Sequence, residues 1–188
     1  ANEDYTFSCV ILNENLYRWD ERPSMLAFVG IVMSDCNVSE YLATIREMSK
    51  EDQKAMSKIY RFTETFRALG NGVMGFHTLL QKKRISFGSF QANIINSQIF
   101  KQLEDEQKQA TRWLALELGE PEGCKDLGVR NATLAMMPPT KSTAELAGGV
   151  SEGINPDPAM VFVKETAAGD VPHLVPELEK LIISKGLD

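Results

Sequence analysis

The stretch on which the fold turns is Arg130-Asn-Ala-Thr-Leu-Ala-Met-Met-Pro-Pro-Thr-Lys-Ser-Thr-Ala-Glu145. Its first eight residues are a short apolar run of strand length, closed by Pro138-Pro139, which cannot donate to a ladder. Ser142, followed three residues later by Glu145, reads as a capping box with Ser142 as the N-cap of a helix. A strand thus feeds through a tight loop into a helix N-terminus. The first turn of such a helix presents backbone N–H groups and the positive end of the macrodipole, which suits a phosphate; Thr140, Ser142 and Thr143 add hydroxyls and Lys141 a charge. Two readings of this loop stand side by side: an anion cradle, or a plain helix cap whose hydroxyls face water.

Working outward, residues 5–12 (Tyr-Thr-Phe-Ser-Cys-Val-Ile-Leu) are rich in β-branched and aromatic side chains and predict a strand with Cys9 in its middle, ending in the turn-prone Asn13-Glu-Asn15. Ser24 can cap a mostly buried helix whose apolar positions run from Met25, Phe28, Val29, Val32 and Met33 toward Leu42 and Ile45. Residues 51–69 repeat the helical period. Gly70-Asn71-Gly72 then breaks it and marks a change of direction before a further helix over 73–81. Residues 89–118 predict one long amphipathic helix with an Ile95, Ile99, Leu103 stripe, stopped by Gly119 and Pro121. Residues 160–166 form a further strand candidate and 172–185 a last helix. No internal repeat is visible, and strands alternating with helical crossovers predict a helix-rich α/β layout.

The 188 residues suit a single domain. Twenty basic against twenty-six acidic side chains, net −6, argue against nucleic acid as the partner, and the basic triplet Lys82-Lys83-Arg84 is too short to reverse that. The three cysteines, at 9, 36 and 124, stand in no C-x-x-C pair, so neither a disulfide scaffold nor a metal site is expected. The longest apolar run, 25–33, is too short for a membrane span. A chain that opens at Ala1 without an initiator Met reads as cut or trimmed. Its thiols suit a reducing cytosol. His77 and His173 carry no distinctive pattern. Gly70-x-Gly72-x-x-Gly75 has the form of a dinucleotide fingerprint, but it follows a helical run and is set aside.

Five ordered blocks together resemble one family: Cys9-Val-Ile-Leu-Asn-Glu-Asn-Leu16, Arg67-Ala-Leu-Gly-Asn-Gly-Val-Met-Gly-Phe-His77, Gly128-Val-Arg-Asn131, Pro139-Thr-Lys-Ser-Thr-Ala144 and Ser151-Glu-Gly-Ile-Asn-Pro156. They resemble the large, catalytic subunit of class I ribonucleotide reductase, nearest its phage-like branch. The resemblance implies the second half of the family's ten-stranded α/β barrel, with residues 1–188 forming a single partial domain. It implies radical-based reduction of ribonucleotides to deoxyribonucleotides, as a fragment or split piece of ribonucleoside-diphosphate reductase. Cys9 would be one of the redox thiols, and Thr140, Lys141, Ser142 and Thr143 would hold the substrate diphosphate.

The same resemblance places the radical-bearing cysteine, the partner of Cys9 and the allosteric site upstream, and the radical-path tyrosines and cysteine-bearing tail downstream. The chain alone should therefore be inactive. Expected partners are the upstream part of the large subunit, a radical-generating small subunit that carries the metallocofactor, a ribonucleoside diphosphate and a thioredoxin-like reductant; no cofactor is expected in this chain. The setting would be the cytoplasm of a bacterium or phage-infected host. An isolated barrel half would leave an uncovered face and should self-associate. The competing reading is a stand-alone nucleotide- or phosphate-binding module without catalysis.

Overall fold

The computed structural model describes residues 3–8, 10–166 and 169–187. They pack as two compact units, one built from Ala1–Leu12, Pro23–Asn71 and Phe100–Met136, the other from Asn13–Arg22, Gly72–Ile99 and Met137–Asp188. In chain order the elements are β1 (Val10–Asn15), a 3₁₀ turn (Leu16–Glu21), α1 (Leu26–Glu47), α2 (Lys50–Ala55), α3 (Ser57–Phe66), β2 (Leu69–Met74), α4 (Phe76–Lys82), α5 (Phe90–Leu118), a second 3₁₀ turn (Glu122–Cys124), α6 (Lys141–Leu146), β3 (Val161–Thr166), β4 (Gly169–Leu174) and α7 (Pro176–Ser184). β1 pairs with β2 and β3 with β4, giving two two-stranded sheets.

In the first unit, α1 buries Ile31, Val38 and Leu42 against Leu69, Ala110 and Leu114, with Phe28 and Val32 packed at the margin. The helix starts at Leu26 behind a left-handed Met25, without a side-chain cap, so Ser24 is not the cap expected of it. By length and composition α1 could cross a membrane, a correction to the estimate from the apolar run alone. Its buried face, however, carries Ser34 and Asp35, the mark of a core helix with polar partners. Asp35 accepts from Arg67 Nε at 2.7 Å, Arg130 Nε at 3.0 Å and Asn131 Nδ2 at 2.9 Å. Two of the sequence blocks named above therefore converge on one buried carboxylate. Burial pushes this carboxyl up, but the bonds from Arg67, then Arg130 and Asn131, outweigh it and hold the group below its ordinary value.

The expected 51–69 helix is two helices. Ser49 caps α2 by accepting the Asp52 amide, and α3 ends at Arg67, whose φ of 43° is left-handed. Gly70-Asn71-Gly72 is no break: the three residues lie inside the buried strand β2, and the turn into α4 comes later, at a left-handed Gly75. Of the fingerprint-like glycines, Gly70 and Gly72 thus sit within a strand, and Gly75 follows it as the N-cap of α4. The strand expected at 130–137 is an extended segment beside β2. Leu69 N–H donates to Thr133 O, Asn71 N–H to Leu134 O and Met136 N–H to Asn71 O, with a single parallel bridge at Asn71 and Ala135. The long helix forms as expected: Ser89 Oγ accepts the Ala92 amide, and Gly119, at φ 80°, ends α5.

In the second unit the 3₁₀ turn is opened by Asn15, whose Oδ1 accepts the Tyr17 amide at 3.0 Å; the Asn13-Glu-Asn15 segment is strand, not turn, and the first strand lies later than expected. Met74, Ala144 and Val150 form a small core with Tyr17 and Ala147. β3 and β4 make an antiparallel hairpin in which Phe162 faces His173 and Lys164 faces Val171. Residues 172–174, expected to open the last helix, belong to that hairpin, and α7 begins at Pro176. Pro fits there because a first-turn amide needs no partner.

Candidate functional site

The loop after Pro138-Pro139 enters α6 through Thr140, which adopts φ 51° and serves as N-cap without a side-chain cap bond. The capping box expected at Ser142 does not form. Thr140 Oγ1 accepts the Gly153 amide at 2.8 Å, which draws the chain into the left-handed turn early, so that Lys141 is already helical and Ser142 is the second helical residue. Glu145, the other half of the expected box, turns away to Lys164 Nζ at 3.0 Å.

This arrangement bears directly on the two readings of the loop. The first intrahelical acceptor, Thr140 C=O, takes the Ala144 amide at 2.7 Å, which leaves the amides of Lys141, Ser142 and Thr143 ahead of the first intrahelical bond. The side chains of those three residues are exposed, whereas Thr140 is buried. The Ser142 hydroxyl is thus not consumed as a cap. Cys9 lies outside the described residues. Cys36 is exposed, and Cys124 is buried, its thiol pushed up by burial and then by Glu120.

The loop rests on the Ser151–Gly153 segment. Gly75 N–H donates to Ser151 O at 2.8 Å, and Ser151 and Thr78 exchange amide-to-hydroxyl bonds at 2.8 and 3.2 Å. Gly153 has φ 54°, and a Cβ there would lie 2.8 Å from Pro138 O, so only glycine fits. His77 Nδ1 lies 3.0 Å from the Asp157 amide nitrogen and 3.1 Å from Asp157 Oδ2. These contacts pin the segment after Ser151 to α4.

The residue that sequence reading missed is Lys164. It is 7% exposed and bridges Glu145 at 3.0 Å and Glu152 at 3.2 Å. Burial pushes its ammonium down, but the bonds from Glu145 and then Glu152 outweigh that and raise it. His173, also buried, packs on Phe162 at 4.7 Å between ring centroids and lies 3.6 Å from Glu145. The hairpin thereby fixes both α6 and the Ser151–Gly153 segment. Beside them a cavity of about 350 Å³ is lined by Lys141, Glu152, Asn155, Asp157, Phe162 and Lys164, among others. Its size is at the small end for a ligand pocket. Among the described residues no group of three or more His, Cys, Asp or Glu side chains is placed to hold a metal ion.

Comparison with known proteins gives a consistent family. The family described as "Ribonucleotide reductase, barrel domain" matches residues 37–126 and 108–188. A Frog virus 3 (isolate Goorha) chain, named as a ribonucleoside-diphosphate reductase large subunit, is 31% identical over 186 residues, 98% of this chain and 32% of that protein. The vitamin B12-dependent ribonucleoside-diphosphate reductase of Thermoplasma acidophilum is 28% identical over 86% of this chain and 22% of its own length. The solved structure of the Actinobacillus ureae class Id ribonucleotide reductase alpha subunit superposes with a TM-score of 0.83 at 34% identity, covering all of this chain and 34% of that one. The chain spans about a third or less of the length of these relatives. With a helix-rich α/β fold and a family match over most of its residues, this chain belongs to the ribonucleotide reductase barrel-domain family.

Proposed function

We propose that this chain supplies part of the catalytic barrel of a ribonucleoside-diphosphate reductase, the part that holds the substrate's diphosphate. The observation that carries this is the superposition of the whole chain, at 34% identity, on a ribonucleotide reductase alpha subunit. The local geometry supports it, because Ser142 and Thr143 offer exposed hydroxyls beside unpaired first-turn amides. In this reading the backbone amides of residues 141–143 donate to phosphate oxygens, the two hydroxyls complete the cradle, and Lys141 adds positive charge. Thr140 positions the loop through Gly153. Cys9 is one of the two thiols oxidised to a disulfide as the ribose loses its 2′-oxygen as water.

The strands would contribute to the second half of a ten-stranded barrel. The rest of the large subunit, a radical-generating small subunit with its metallocofactor and a thioredoxin-like reductant complete the enzyme, in the cytoplasm of a bacterium or phage-infected cell. The 188 residues alone turn over no substrate, since a cradle and one thiol neither generate nor hold a radical.

Calorimetric titration of the chain with a ribonucleoside diphosphate tests the cradle. The diphosphate should bind, the nucleoside alone should not, and Ser142→Ala with Thr143→Val should weaken binding about tenfold, the loss of one or two charge-assisted hydrogen bonds. Equal binding by the double variant overturns the reading. In a reconstituted enzyme, Cys9→Ser should abolish reduction and leave diphosphate binding intact.

A further inference from the structure

A second, larger cavity of about 1040 Å³ lies in the same unit as α6 but shares none of the candidate loop's residues. Its walls come from α4 with the loop after it and from α7. Lys82, Arg84, Lys180 and Lys185 line it against one carboxylate, Glu177. In a chain where acids outnumber bases by 26 to 20, a wall with four cations to one anion is a local reversal of charge.

The carboxylate is already engaged: Glu177 accepts from Tyr17 Oη at 2.6 Å and Lys180 Nζ at 3.1 Å. Lys82 lies 3.8 Å from Glu21. Among the described residues Arg84 and Lys185 have no ion-pair partner, so their charges face the cavity region uncompensated. Arg84 is held there by the backbone. It sits at φ 56° just past α4, with its amide on Gln81 O and the next amide on Leu80 O, a left-handed helix ending where glycine would be the unstrained residue. Phe87, 38% exposed and edge-on to His77, adds an aromatic surface to the same wall. Cations that bind phosphate oxygens beside a ring that can stack on a base are the two elements of nucleotide recognition.

We propose that this cavity binds a nucleotide, with Arg84, Lys185 and Lys82 on its phosphates and Phe87 against its base, at a site separate from the Thr140–Thr143 loop. The volume suits a nucleoside triphosphate. The proposal stands independently of the diphosphate cradle.

The test is equilibrium binding of ATP, tripolyphosphate and adenosine to the chain at low salt. ATP should bind more tightly than either of the others, and more weakly as salt rises. Arg84→Gly with Lys185→Ala should reduce ATP affinity at least tenfold while thermal stability is unchanged or raised, because glycine relieves the left-handed strain at 84. In a chain that already carries Ser142→Ala and Thr143→Val, adding Arg84→Gly and Lys185→Ala should still lower ATP affinity at least tenfold, which separates this cavity from the loop. The proposal is overturned if ATP does not bind, if tripolyphosphate binds as tightly as ATP, or if the Arg84/Lys185 variant retains full affinity.

Discussion

Thr140 and Gly153 are joined by a single hydrogen bond, the Gly153 amide donating to Thr140 Oγ1 at 2.8 Å, and both residues are in left-handed backbone conformations. That bond decides where α6 begins. With the threonine hydroxyl committed to the glycine amide, the helix starts at Lys141, and the three amides of residues 141–143 and the Ser142 hydroxyl remain outside the helix's own bonding.

Gly153→Ala is therefore expected to cost about 1–3 kcal/mol, from the left-handed φ and the Cβ that would press on Pro138 O. Thr140→Val, which leaves the buried Gly153 amide without an acceptor, should cost about as much. Urea unfolding of both variants measures this. A loss under about 0.5 kcal/mol for Gly153→Ala would mean that the loop relaxes freely.

Asp35 gives the chain an acid-sensitive element. Its carboxyl is depressed when folded, so its stabilising contribution is complete above the unfolded value of about 3.9 and is lost as pH falls through the lower folded value. Asp35→Asn should destabilise the protein at pH 7 by roughly 3–5 kcal/mol, because Arg67 and Arg130 lose their common counter-charge in a site where Asp35 is 1% exposed. The penalty should shrink as pH is lowered toward 2. Unfolding curves at several pH values check this, and a penalty independent of pH would contradict it.

The hairpin predicts self-association. Val161, Val163 and Val171 are 44–61% exposed on a two-stranded ribbon. Such a ribbon offers unpaired edges and an apolar face to a second copy. Light scattering should show a mass that rises with concentration, and Val161→Lys with Val163→Lys should return it to that of one chain. A wild-type chain that stays monomeric at every concentration would count against this.

The hairpin also shows where sequence reading stops. Alternation alone does not say which face of Val161-Phe-Val-Lys164 is buried. In β3 Phe162 and Lys164 turn toward the unit and Val161 and Val163 toward solvent. Only Glu145 and Glu152, distant in sequence, make a buried Lys164 affordable. Gly70-Asn71-Gly72 misled for a related reason: glycines usually interrupt an element, and here the ladder to residues 133–136 holds them in a strand.

What the sequence determined by itself is local or cumulative. The long helix α5 follows from periodicity with a serine at one end and a glycine at the other. The family follows from five ordered blocks, whose joint occurrence needs no geometry. Tertiary structure alone decided the convergence of Arg67, Arg130 and Asn131 on Asp35, the true start of α6, and the burial of Lys164. Each depends on a bond between residues far apart in the chain. Periodicity and propensity describe how a segment pairs with itself, whereas a hydroxyl taken by a distant amide, or a charge buried on two distant carboxylates, exists only once the chain has closed on itself.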